Sequence, residues 1–219
     1  MKTRTLINEA KVNKTLLTLI ALFFMLGCKN TPKDKKGITN NTEILNKIIL
    51  PNYPLWLLNR LALNKINENL KQSDKQVFTI SRTSTKGNAY ASVNNIPVEI
   101  GNYYRASVLV KEDSLGASFG LRIIGEYPNR VDAVFNLEKG LIKGVSDAGT
   151  FIKVNANIED SGEGWYKCSL TAEVNSNKIK ISLGPTSELS RAITWEGATK
   201  EKIGVRIIPS SLTLEELTQ

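Results

Sequence analysis

The chain contains no histidine. That absence excludes histidine general acid–base catalysis, nucleophilic triads built on a histidine, and histidine-ligated zinc. Two cysteines are too few for a disulfide framework or a four-thiolate metal site. There is no glycine-rich phosphate loop and no dinucleotide fingerprint. Long amphipathic helical repeats are also missing beyond the first quarter of the chain. What remains is a chain of 219 residues with ordinary globular composition, long enough for one domain and an appended tail.

The net charge of +8 is not spread evenly. Residues 1–27 carry +3 and residues 28–76 carry +5. Residues 77–219 hold sixteen Lys/Arg and sixteen Asp/Glu, so the region that looks most clearly folded is neutral. A nucleic-acid domain would concentrate basic residues on its binding face, so no nucleic-acid partner is expected.

The basic excess starts with an export signal. Lys2, Arg4, Lys11 and Lys14 precede an apolar run from Leu16 to Leu26, which is too short to span a bilayer comfortably. The run ends at Met25-Leu26-Gly27-Cys28, which resembles a bacterial lipobox. The resemblance implies cleavage after residue 27, lipidation of Cys28 and anchoring to a membrane. Lys29 follows Cys28 where many inner-membrane lipoproteins have aspartate, so the outer membrane is the expected location. Residues 28–43 are polar and basic, with Lys29, Lys33, Lys35 and Lys36 close together. They read as a flexible tether. Residues 44–76 contain Ile44, Leu45, Ile48 and Ile49 before Pro51, then a leucine-rich stretch. The pattern fits a helix packed on the domain or a first strand of it.

From Val77 to the end, short runs alternate with a period of two and are separated by glycine- and asparagine-containing turns. The expected strands are 77–82, 89–93, 103–111, 118–124, 131–137, 151–158, 165–174, 178–183 and 203–208. Many short strands at regular spacing predict an all-β, two-sheet antiparallel sandwich over residues 77–219. Alternation places Tyr104, Ala106, Val108 and Val110 toward the core.

Three segments then occur in order: Tyr104-Arg105-Ala106-Ser107-Val108-Leu109-Val110-Lys111, Val134-Phe135-Asn136-Leu137-Glu138-Lys139-Gly140, and Gly164-Trp165-Tyr166-Lys167-Cys168-Ser169. Together they resemble a jelly-roll family of carbohydrate-binding-module-like domains, found beside glycoside hydrolases and in phage tail proteins. The resemblance covers residues 76–216. It implies a jelly roll that binds polysaccharide on a concave face or at its end loops, with no catalytic role. It also makes Trp165 a packing residue. No cofactor is expected. Such modules often hold a structural calcium, but the acids here form no recognisable calcium loop and no ligands are assigned.

Sugar sites combine aromatic faces with hydrogen-bonding side chains. Trp195 lies just before a glycine-containing loop and is a candidate platform. Tyr127, beside Pro128 and Asn129, sits at an expected loop tip and is another. Arg105 and Arg122 alternate away from apolar neighbours and are candidates on the concave face. Asp160 and Glu163 share one turn, which is ordinary turn chemistry and too local to flank a scissile bond, so the protein is not expected to be an enzyme. The alternative to glycan binding is a structural or adhesion module that docks another envelope protein.

Overall fold

Two antiparallel sheets face one another in a computed structural model that describes residues 42–68 and 75–218. The expected signal peptide, Cys28 and nearly all of the tether lie outside the described residues. The described residues form thirteen strands, in chain order β1 Ile44–Ile48, β2 Leu57–Asn59, β3 Leu61–Ile66, β4 Val77–Arg82, β5 Tyr90–Pro97, β6 Tyr103–Lys111, β7 Ser118–Ile124, β8 Arg130–Asn136, β9 Leu141–Ala148, β10 Ile152–Asp160, β11 Trp165–Glu173, β12 Lys178–Pro185 and β13 Gly204–Leu217. Among the described residues there is no α-helix. A single 3-10 turn, Ala192–Thr194, interrupts the connection from β12 to β13.

Sheet I has the order β10-β11-β6-β13-β4-β3, with β1 paired to the far half of β13. Sheet II has the order β2-β5-β12-β7-β8-β9. The fold is the expected β-sandwich of jelly-roll type. Its core lies between the sheets and is built by alternation. Tyr104, Ala106, Val108 and Val110 from sheet I are buried together with Phe119, Leu121, Ile123, Ile179, Ile181 and Leu183 from sheet II. Cys168 lies in this core, where burial pushes its thiol pKa far up and leaves it inert.

Trp165 is buried, as its motif implied, but not in the main core. It packs with Val77 and Ile208 in a small cluster, with the Lys111 ammonium 5.9 Å from its ring centre. That arrangement is a cation–π contact at the margin of the sheet.

Three features sharpen or extend the sequence reading. Of the two readings of residues 44–76, strand holds for the described part: β1 and β3 join sheet I and β2 joins sheet II. The period of two is visible in β3, where Leu61 and Leu63 are buried and Asn64 is exposed. The last strand does not stop at residue 208. A register shift between Ile208 and Thr213 absorbs Pro209 and Ser210 as an irregularity, and the strand continues to Leu217. A further strand, β9, was not expected at all. Most of its residues are exposed or half-exposed on both faces, so it carries no core-facing stripe.

Candidate functional site

The outer face of sheet II is organised in rows across the strands. One row runs Ser92, Ser182, Arg122, Asp132 and Ser146, paired in that order. The row on one side is nearly bare: Gly184, Gly120, Val134 and Gly144 are opposite one another. The row on the other side contains Lys180, Ile124 and Arg130.

The bare row is a slot, and Trp195 fills it. A Cβ at Gly120 would overlap the indole, and one at Gly184 would meet it at 3.7 Å. The segment joining β12 to β13 therefore crosses the sheet as a strap instead of projecting into solvent. Between Ser187 and Lys202, Trp195 is the one buried side chain. Its carbonyl accepts a 2.6 Å hydrogen bond from the Thr186 hydroxyl. The Arg122 guanidinium lies 5.5 Å from its ring centre. Trp195 is thus not the exposed platform expected from sequence. With no surface left to water, it cannot stack on a sugar, and its role is to seat the strap.

Arg122 points outward as expected, but it is not free. Its Nε donates to Asp132 Oδ1. One terminal nitrogen donates to Glu196 Oε1 at 2.8 Å. The other donates to Glu196 Oε2 at 2.9 Å and to the Ile193 carbonyl at 3.0 Å. Those bonds use four of its five N–H groups. Burial opposes its charge, yet the two carboxylates outweigh burial and raise its pKa. Asp132 is fully buried, and burial pushes its carboxyl pKa up against the pull of Arg122 and Arg130. The expected role of Arg122 as a direct sugar donor is corrected accordingly: it holds the strap to the sheet.

Beside the strap the face stays open. A cavity of about 200 Å³ is lined by Asn88, Tyr90, Arg122, Lys180, Ser182 and Glu196, among others. A second, shallower one of about 430 Å³ shares Ile124 and Lys180 with it and extends to Asn94, Asn95, Glu126 and Lys178. The two form one groove. Its blind end is closed by Glu196 and Trp195. A bulge in β5 opens its other end, with Asn95 at φ 56°, a left-handed conformation asparagine tolerates. The Ser92 and Ser182 hydroxyls are buried with no protein hydrogen-bond partner among the described residues. Ser182 lines the smaller cavity and Ser92 is its cross-strand partner on β5; unpaired buried hydroxyls are costly and uncommon in folded proteins.

Lys180 stands at the junction, its ammonium 5.3 Å from the Tyr90 ring centre. Burial, and then the neighbouring Arg122 charge, hold its pKa below the ordinary lysine value, with Glu196 opposing them.

No family model matches the chain, and no curated protein matches its sequence. Solved structures that resemble it include two at 13% identity. One is the CBM22-1 xylan-binding domain of Paenibacillus barcinonensis Xyn10C, at 13% identity and TM-score 0.45, covering 81% of this chain and 97% of that one. The other is the CBM22-1–GH10 portion of Clostridium thermocellum xylanase 10B complexed with xylohexaose, at 13% identity and TM-score 0.44. It covers 78% of this chain, which spans 28% of that one.

The other sequence candidates fall elsewhere. Tyr127 is 98% exposed in the β7–β8 turn, one residue beyond Glu126 at the open end of the groove. Arg105 is on the outer face of sheet I, with Nε and a terminal nitrogen donating to Glu215 Oε2 at 3.1 and 2.8 Å. It takes no part in the groove. A further concavity of about 660 Å³ beside the β1–β2 loop includes Tyr53 and Phe78, but these rings pack edge-on against each other at 5.1 Å. Among the described residues no three metal-ligating side chains come together. Sequence reasoning missed Tyr90, Lys180 and Ser182. The signal available was their alternation with Ala91, Ile179, Ile181 and Leu183, which marks them as outward-facing.

Proposed function

We propose that the groove on sheet II binds a glycan without cutting it, in a protein held at the outer membrane by lipid on Cys28. The carrying observation is the groove itself, which brings the Tyr90 ring, Lys180 and Ser182 together with Asn88, Asn94 and Asn95. A sugar offers what this surface lacks: hydroxyls that donate and accept in turn, and an apolar face to lie against a ring. Each hydrogen bond replaces one to water, so the net gain per bond is small. Affinity for one segment is expected to be micromolar or weaker, about −8 kcal/mol or less in magnitude. Many anchored copies on one long chain compensate through effective concentration.

The test is a glycan array and titration with the full chain in detergent. Tyr90→Ala should weaken binding about tenfold, the scale of one aromatic contact, without changing the melting temperature. Tyr127→Ala, at the open end, should weaken it less. Unchanged binding in Tyr90→Ala would move the site off this groove.

The lipid anchor rests on the basic start, the apolar run and Gly27-Cys28. Cys28→Ser should abolish palmitate labelling and release the protein from membranes. Equal labelling of wild type and variant would remove the anchor from this proposal. The second reading, docking of another envelope protein, is favoured by β9, where Leu141, Ile142 and Val145 are exposed. A blank glycan screen with capture of one stoichiometric envelope protein selects it.

A further inference from the structure

The charges of the groove do not cancel. Both oxygens of Glu196 are taken by Arg122, and Asp132 is shared between Arg122 and Arg130, so these two carboxylates and two guanidinium groups balance. That leaves Lys178 and Lys180 along the groove against Glu126 at the open end. Lys180 lines both cavities, and among the described residues no carboxylate lies within ion-pairing distance of its ammonium. Among the described residues its three N–H donors meet no protein acceptor, and the Ser182 hydroxyl two residues along the same strand face is buried without a partner. An ammonium that is partly removed from water and faces a second cation is held at a cost, which an anion in the groove would relieve.

We infer that the ligand is an acidic glycan, whose anionic oxygen group sits at Lys180 in the junction of the two cavities. Carboxylate and sulfate share this chemistry. Either accepts from the ammonium, which lines both cavities. Neighbouring sugar units then lie toward Asn94 and Asn95, where the groove is open. The inference rests on the glycan-binding reading above and adds the class of sugar to it.

The experiment pairs acidic oligosaccharides with the same molecules made neutral. Oligouronates are compared with their methyl esters, and sulfated oligosaccharides with their desulfated forms, using the full chain in detergent at low salt and at about 0.5 M salt. One of the acidic series is expected to bind at least about tenfold more tightly than its neutral counterpart at low salt. The two arms tell carboxylate from sulfate. Lys180→Met should bring acidic and neutral forms to within about threefold, while Lys180→Arg keeps the preference. Lys65→Met, which removes the same charge from an exposed position on β3 in sheet I, should leave the preference intact. Equal affinity for acidic and neutral forms overturns the inference and leaves glycan binding standing. So does a preference that survives Lys180→Met or disappears in Lys65→Met, because the selection then comes from overall charge. No binding to any acidic or neutral sugar, here and on the array, removes the glycan reading itself.

Discussion

Trp195→Ala should lower the stability of the protein by about 3–5 kcal/mol, the range for truncating a large aromatic in a packed site. The indole has no exposed surface, and it lies against two backbone positions, Gly120 and Gly184, that have no side chain to relax into the space it leaves. The cavity would therefore stay open, which is the costly outcome for a large-to-small change. The strap adds a local consequence. Trp195 is its only buried side chain between Ser187 and Lys202, so without it the segment is held mainly by polar contacts: Arg122 and Arg130 at the Ile193 carbonyl, the Arg122–Glu196 pair, the Ala89 N–H and Arg82 at the Glu196 carbonyl, and the Thr199 N–H at the Thr85 carbonyl. Amide exchange in the strap should then accelerate more than in the sheets. Equilibrium unfolding in urea measures the global loss, and hydrogen exchange locates it. A loss below about 1 kcal/mol would show that the ion pairs, not the indole, hold the strap.

The position of Trp195 also shows where sequence reading stops. The β-sandwich itself could be read, because burying one face of each strand leaves a period of two: Tyr104, Ala106, Val108 and Val110 point inward as expected. The strand β9 could not, since an edge strand exposed on both faces leaves no such pattern. Trp195 has a local sequence consistent with exposure, a glycine two residues later and no apolar periodicity around it. The slot that buries it is made by Gly120 on β7 and Gly184 on β12, and neither is informative until the strands are paired. Arg122 is a similar case. Its outward direction follows from alternation. Its partner Asp132 follows only from the β7–β8 register, and Glu196 lies 74 residues away. Local patterning reveals which face a residue occupies; it does not reveal what the chain lays over that face. The groove was missed for the same reason. It is a part of the sheet II face that the strap leaves open.

Asp132→Ala should cost about 3–5 kcal/mol, the usual penalty when one member of a buried ion pair is removed and the other remains. Asp132 is completely buried, and it meets Arg122 through Oδ1 and Arg130 at 3.5 Å through Oδ2. In the variant, the Arg122 Nε–H would face an apolar gap. Glu196 would still hold the outer edge of the guanidinium, so the arginine could not swing out to water without releasing the strap. Arg122→Met reverses the fault. It removes the cation, leaves the Asp132 carboxylate under the strap with Arg130 alone, and frees both oxygens of Glu196. A similar loss is expected. The double variant Arg122→Met/Asp132→Leu separates the two causes. If the penalty comes from stranding a charge, removing both charges should recover most of it, because a buried pair replaced by well-packed apolar groups is often neutral or better. If the penalty comes from losing the strap's hydrogen bonds to Ile193 and Glu196, the double variant should remain as unstable as Arg122→Met. The first result is expected for global stability. For hydrogen exchange within the strap the second is expected, since no methionine can replace the donors that Arg122 directs at it. Global recovery with a loosened strap would assign the ion pair to the fold and the guanidinium fork to closing the blind end of the groove.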